Sequence, residues 1–326
     1  MINPGKLLRH LDRAPELLRA RRHTAAGLSL IARYLELGSA SYPFQLPLSS
    51  GGSIKLSTPV EVKVFWHVFV RDCYRTPERC QTIVDAGGNI GLFSIWAARR
   101  HPNARIVSLE PCEGTFRELE ENLSSTGLGG SVERYQLGLA AVAGKRQMHG
   151  AGPSPHRGVV LRPSEQSSAD VISIQCITLT ELLDRCGLDT VDFLKMDIEG
   201  SEWEVLFSTA PEVLRRFRRM EIEYHEVHAS FGYRPEQLIA HVESAGHKLI
   251  YREEDANRTG LAVFDLQTQP DLQTQLLGQG AVAPTNSGGG AAGHPAHTSG
   301  ERVRLARQVS GGWCIFKREW EVLTPT

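Results

Sequence analysis

A doubly wound α/β sheet of seven strands is the fold predicted by this 326-residue sequence, and three observations carry that reading. The first is Thr82–Ile95, TIVDAGGNIGLFSI, where a short apolar run ends on Asp85, a glycine-rich turn follows, and an apolar-periodic helix begins. The second is the recurrence of short apolar runs with room for a helix between them: RIVSL at 105–109, VDFLKMD at 191–197 and RMEIEYH at 219–225. That alternation is the pattern of parallel strands joined by helical crossovers. The third is that these runs lead into ionisable residues, Glu110, Asp197 and His225. Charge at the end of a central strand is costly unless paired or used, and open α/β sheets bind ligands at those carboxyl ends.

The glycine turn narrows the cofactor class. Ala86, Gly87, Gly88, Asn89, Ile90 and Gly91 place backbone N–H groups and the positive end of a helix dipole beside the crevice. A dinucleotide loop needs G-x-G-x-x-G, and the available register has Ala86 in the first place, followed by Gly88 and Gly91. The turn instead reads D-x-G-x-x-x-G over Asp85, Gly87 and Gly91. Asp85 would repel a pyrophosphate but suits a sulfonium or ammonium group, directly or through water. S-adenosylmethionine carries both, and its carboxylate can use the free N–H groups of the turn. Glu110, followed by Pro111, stands about 20 positions after the loop, where an acid can accept both ribose hydroxyls.

The blocks DAGGNIG, LEP, KMDIEGSE and EIEYH, in this order, closely resemble the FkbM family of S-adenosylmethionine-dependent methyltransferases. The resemblance runs from about Thr82 to Tyr251. It departs from the family pattern mildly, with Gly88 where alanine is more frequent and Leu109 where phenylalanine is. It implies a Rossmann-like class I methyltransferase fold with an antiparallel last strand, methyl transfer to an oxygen nucleophile, and a sugar, glycan or secondary-metabolite hydroxyl as acceptor. The loop residues Asp85, Gly87, Gly88, Asn89 and Gly91, with Glu110 and Pro111, are the expected cofactor-binding set.

Taken in order, residues 1–80 read as a helical and irregular N-terminal appendage, with a hairpin expected around Ser50–Gly52 and a helix over Val60–Tyr74. The sheet domain is expected over 81–265 together with 313–322. Val132–Leu139 reads as its third strand, Lys248–Tyr251 as its sixth and Trp313–Trp320 as its antiparallel last. Gly144–Asp170, with three prolines, reads as a surface excursion, and 266–312 as a low-complexity, disordered insertion. An apolar content of 41% with 22% charged residues is globular, and a net charge of −1 argues against nucleic acid as a partner. Six cysteines without a C-x-x-C pair read as reduced thiols of a cytoplasmic protein. No apolar run approaches the roughly 18 residues of a membrane span. The basic N-terminus lacks the unbroken apolar core of a secretory signal, and Asp12 and Glu16 count against a transit peptide.

Strand alternation places Lys195, Asp197 and Glu199 on one face, and Glu221, Glu223 and His225 share a face of the next strand. A hydroxyl is a poor nucleophile at neutral pH, so a base is expected, and His225 with its ordinary pKa is the candidate. Asp197 is read as base, orienter or partner of Lys195. A divalent ion on Asp197, Glu199, Glu223 and His225 is the alternative activator, ranked below the histidine. Two other classes stand beside methyl transfer. An NAD-dependent oxidoreductase would share the strand, loop and acid, but lacks the first glycine here. A non-catalytic cofactor-binding protein would not need Asp197, Glu199 and His225.

Overall fold

The computed structural model describes residues 14–149, 171–225, 232–254 and 259–267. The chain divides into the units Met1–Leu266 and Gln267–Thr326, and every described helix and strand belongs to the first. Helices α1 (Ala14–His23) and α2 (Gly27–Tyr34) lead into an antiparallel hairpin, β1 (Phe44–Pro47) and β2 (Ser53–Leu56). Helix α3 (Pro59–Phe65) follows and continues as a π-helical turn over Trp66–Val70. The hairpin and the helix both fall where the sequence predicts them.

The main sheet has seven strands: β3 (Thr82–Ala86), β4 (Arg105–Leu109), β5 (Val132–Tyr135), β9 (Val191–Met196), β10 (Phe217–Tyr224), β11 (His247–Glu254) and β12 (Gly260–Leu266). Their spatial order is β11-β12-β10-β9-β3-β4-β5. Strands β3, β4, β5, β9 and β10 run parallel, and β12 is antiparallel to both of its neighbours. This is the doubly wound arrangement of the Rossmann-like class I methyltransferases. Every residue of β9 is buried, as expected of a central strand covered on both faces.

Alternation along the strands feeds two cores. Val84, Val107, Leu194 and Met196 point into one, closed by α6 (Leu179–Cys186), α7 (Glu202–Ser208) and α9 (Pro235–Ser244) through Leu182, Leu206 and Leu238. Ile83, Ile106 and Phe193 point into the other, which α4 (Leu92–Arg100) and α5 (Glu113–Ser125) share with Leu46, Ile54, Phe65 and Trp66 of the N-terminal region. The hairpin is tied to this face by Asn122, whose side chain accepts from Lys55 N at 2.8 Å and donates to Ile90 O at 3.0 Å. Short helix α8 (Pro211–Leu214) links α7 to β10.

Two strand assignments made from sequence are corrected. Among the described residues the antiparallel strand of the sheet is Gly260–Leu266, hydrogen-bonded between β10 and β11, and the strand expected at Trp313–Trp320 lies outside the described residues. The third strand stops at Tyr135, and β6 (Gly138–Leu139) belongs to a separate three-stranded sheet with β7 (Gly144–His149) and β8 (Val171–Ile177). The expected surface excursion therefore begins as a strand, and residues 150–170 and 268–312 lie outside the described residues. Among the described residues, five cysteines are free and no helix is long and apolar enough to cross a membrane.

Candidate active site

The glycine turn has its shape because three of its residues, Gly87 (φ +85°), Asn89 (φ +48°) and Gly91 (φ +88°), sit in the left-handed region. A Cβ on Gly87 would also overlap the carbonyl oxygen of Asp197 at the end of β9. Gly87 N and Gly88 N donate to Leu109 O at 3.0 and 2.7 Å, tying the loop to the neighbouring strand. Asn89 N donates to Glu110 Oε2 and Cys112 N to Glu110 Oε1, both at 3.0 Å. The Glu110 carboxylate is thus aimed by backbone on both sides and is nearly buried.

A cavity of about 260 Å³ runs along this loop. Gly87, Asn89, Glu110 and Pro111 line it; Leu137, Gly138, Leu139 and Met148 wall one end, and Asp197, Ile198 and Glu199 the other. Ser57, Thr58 and Glu61 also reach it from the N-terminal region. Thr58 caps α3 while Glu61 accepts from Ser57 N, so the capping pair is what holds this wall in place. Sequence shows the Thr58-Pro59-x-Glu61 start of a helix but not the cavity it faces.

Of the expected cofactor-binding set, Asp85, Gly88 and Gly91 do not line the cavity. Asp85 is fully buried beneath the loop, where Ser94 Oγ donates to it at 2.6 Å and Lys195 Nζ stands 3.4 Å away. Lys195 Nζ donates to Gly87 O at 2.6 Å, so the Asp85–Lys195 pair props the glycine turn from below. Burial opposes the lysine charge, but Asp85, Asp197 and Glu223 outweigh it and hold its pKa above the ordinary value. With Asp85 paired this way, its charge no longer argues against a pyrophosphate. Gly88 instead admits close packing, since a Cβ there would overlap Ser108 Oγ and press on Leu119.

At the far end β9 and β10 bring their side chains together. Asp197 and Glu199 stand 3.9 and 3.6 Å from His225 Nε2, while Glu202 Oε1 lies 3.1 Å from His225 Nδ1. Glu202 is fully buried and accepts from Ile198 N and Gly200 N, both at 2.9 Å, which pins the turn that carries Glu199 at φ +54°. Burial disfavours the imidazolium, but Glu202, then Glu199 and Asp197, hold the His225 pKa well above its ordinary value. The imidazole is thus held between Glu202 on one side and the two wall carboxylates on the other, not standing alone as its sequence position suggests. Glu223, on the same face of β10, is pushed up to about 8, by burial first and Asp197 second. Tyr74, from the segment before β3, is raised by burial and then by the charges of Cys73, Asp197 and Glu223 around it. It packs edge-on against Phe93 at 4.4 Å. Tyr74 carries no sequence signal of its own, and Glu202 closes the block KMDIEGSE without showing its partner, because His225 lies far along the chain.

Comparison with known proteins agrees with this arrangement. The model of the methyltransferase FkbM domain matches residues 85–249. The chain is 27% identical to methyltransferase sdnD of Sordaria araneosa over 56% of its own length and 80% of that protein. It is 25% identical to the 31-O-demethyl-FK506 methyltransferase FkbM of Streptomyces tacrolimicus, over 46% of this chain and 67% of that one. Among solved structures, fibrillarin of Aeropyrum pernix in complex with S-adenosyl-L-methionine aligns at 12% identity and a TM-score of 0.35, covering 57% of this chain and 66% of that one. Because the family model spans half of the chain and takes in Glu110, Asp197 and His225, the chain belongs to the FkbM methyltransferase domain family.

Proposed function

We propose that this protein transfers a methyl group from S-adenosylmethionine to a hydroxyl oxygen of a small-molecule acceptor, a sugar or a secondary metabolite. The observation that carries the reading is one cavity with a backbone-oriented carboxylate, Glu110, along its length and paired carboxylates, Asp197 and Glu199, at its end. The residues present fit the cofactor. Glu110 has its two oxygens steered by Asn89 N and Cys112 N and can accept from a ribose diol. Leu137, Leu139 and Met148 offer apolar surface, and Gly138 backbone, to an adenine. Gly87 and Asn89 face the amino-acid end.

When bound, S-adenosylmethionine supplies a methyl group on a positively charged sulfur. The chain's own part is to hold the acceptor oxygen in line and take its proton. Asp197, on the cavity wall, takes the role first considered for His225 and accepts that proton. His225 then acts as a brace between Glu202 and the two wall carboxylates. Lys195 keeps Gly87 against the end of β9, which fixes the distance between the loop and Asp197. Oxygen as the methyl acceptor is supported by the Streptomyces relative, whose name places its methyl group on an oxygen.

Titration calorimetry with S-adenosylmethionine, S-adenosylhomocysteine and NAD tests this. The first two are expected to bind and NAD is not. Binding of NAD alone would overturn the cofactor assignment.

A further inference from the structure

We propose that Asp197, Glu199 and His225 form a binding site for a divalent cation at the reaction end of the cavity. It rests on the reading of that wall as the place where the acceptor hydroxyl reacts. Imidazole Nε2 and one oxygen from each carboxylate all lie within 4.8 Å of one another. Ligands about 2.1 Å from one ion stand roughly 3–3.5 Å apart, so closing the observed 3.6 and 3.9 Å separations takes only small side-chain shifts. The three donors come from two strand ends, each side chain keeps 16–30% exposure, and Asp197 and Glu199 line the cavity.

Three independent features point to a cation here. Glu202 occupies Nδ1 of His225 and leaves Nε2 directed at the two carboxylates, the carboxylate–histidine arrangement that orients metal-bound imidazoles. Charge is out of balance among the described residues: the carboxylates Asp85, Asp197, Glu199 and Glu202 gather around the cation Lys195 and an imidazole that is neutral when its Nε2 is a ligand. A dication offsets that excess. Glu223, finally, makes no hydrogen bond among the described residues, and the groups around it are Asp197, His225, Glu199 and Lys195. It can serve as a further ligand.

One imidazole with two carboxylates suits a first-row ion such as Mn²⁺ better than Ca²⁺, which prefers an all-oxygen shell. Such an ion lowers the pKa of a hydroxyl brought to its open positions. The acceptor's O–H proton then passes to solvent water, the oxygen lone pair forms the new C–O bond, and the C–S pair returns to the cofactor sulfur. Asp197 becomes a ligand in this scheme rather than the proton acceptor.

The test is a Mn²⁺ titration of chelator-stripped full-length protein, read by loss of the free-ion electron paramagnetic resonance signal. One Mn²⁺ per chain is expected, with affinity reduced at least about tenfold in Glu199→Gln and in His225→Gln. Melting curves establish that each variant is folded, and Asp197→Asn provides a third if one is not. Absence of Mn²⁺ uptake by the wild type up to about 1 mM would overturn the site. So would uptake that all three substitutions leave unchanged. Calorimetry with S-adenosylmethionine on the stripped protein runs beside it and reads the cofactor assignment separately.

Discussion

The two ends of the cavity are built by different means. At the Glu110 end the functional group is aimed by backbone: two N–H donors from neighbouring residues hold one carboxylate, and left-handed residues shape the loop. At the Asp197 end, side chains from β9, β10 and the following turn hold one another in place by charge. Backbone-held groups depend on local sequence and tolerate changes elsewhere. Charge-held groups depend on every member of the set, so removing one leaves another buried without a partner.

Lys195→Met gives the hardest test of that difference, because Lys195 touches both ends. It strips the buried Asp85 of its ion pair and Gly87 O of a donor, and is expected to cost about 3–5 kcal/mol in denaturant unfolding. A variant as stable as the wild type would show that the charged row is not what props the loop.

Substitutions at the two ends should separate in kind. Asp197→Asn is expected to cut turnover by about 10²–10⁴ with cofactor affinity intact. Glu110→Ala is expected to weaken cofactor binding by about 1–3 kcal/mol, measured by calorimetry. If each variant loses both properties equally, the ends are not independent.

A smaller effect is expected beside the charged cluster. Glu221 is almost completely buried, with its pKa pushed up to about 7, by burial first. Its folded pKa lies above the unfolded value of 4.5, so the stability it contributes is full below pH 4.5 and lost as pH rises through 7. Glu221→Gln, which stays neutral, is therefore expected to gain about 1–3 kcal/mol on the wild type above pH 7, with little difference at pH 4.5. Equal melting temperatures across that range would contradict the burial argument. The smallest effect is expected from ending the chain after Gln267, since β12, the last strand of the described sheet, ends at Leu266. Melting temperature and cofactor affinity should hardly move.

The parts legible in sequence are those whose cause is local. TIVDAGGNIG announced a strand, a tight turn and a helix because apolar periodicity and left-handed glycines act within a few residues. Glu110 was legible for the same reason, standing one βαβ unit after the loop. The strand ends at Asp197 and His225 were visible as charges in apolar runs, and alternation put them on one face.

What only the tertiary structure decided is which residue answers which. Asp85 read as a ligand contact because nothing in its neighbourhood shows Lys195, which stands beside it in the adjacent strand but 110 positions along. His225 read as a base because an unperturbed imidazole was the only pKa available; three carboxylates from another strand end and turn change it. Gly260–Leu266 pairs between β10 and β11, which strand character alone does not name. Pairing is set by contacts between residues distant in the chain, whose energies depend on a fold that local sequence does not contain.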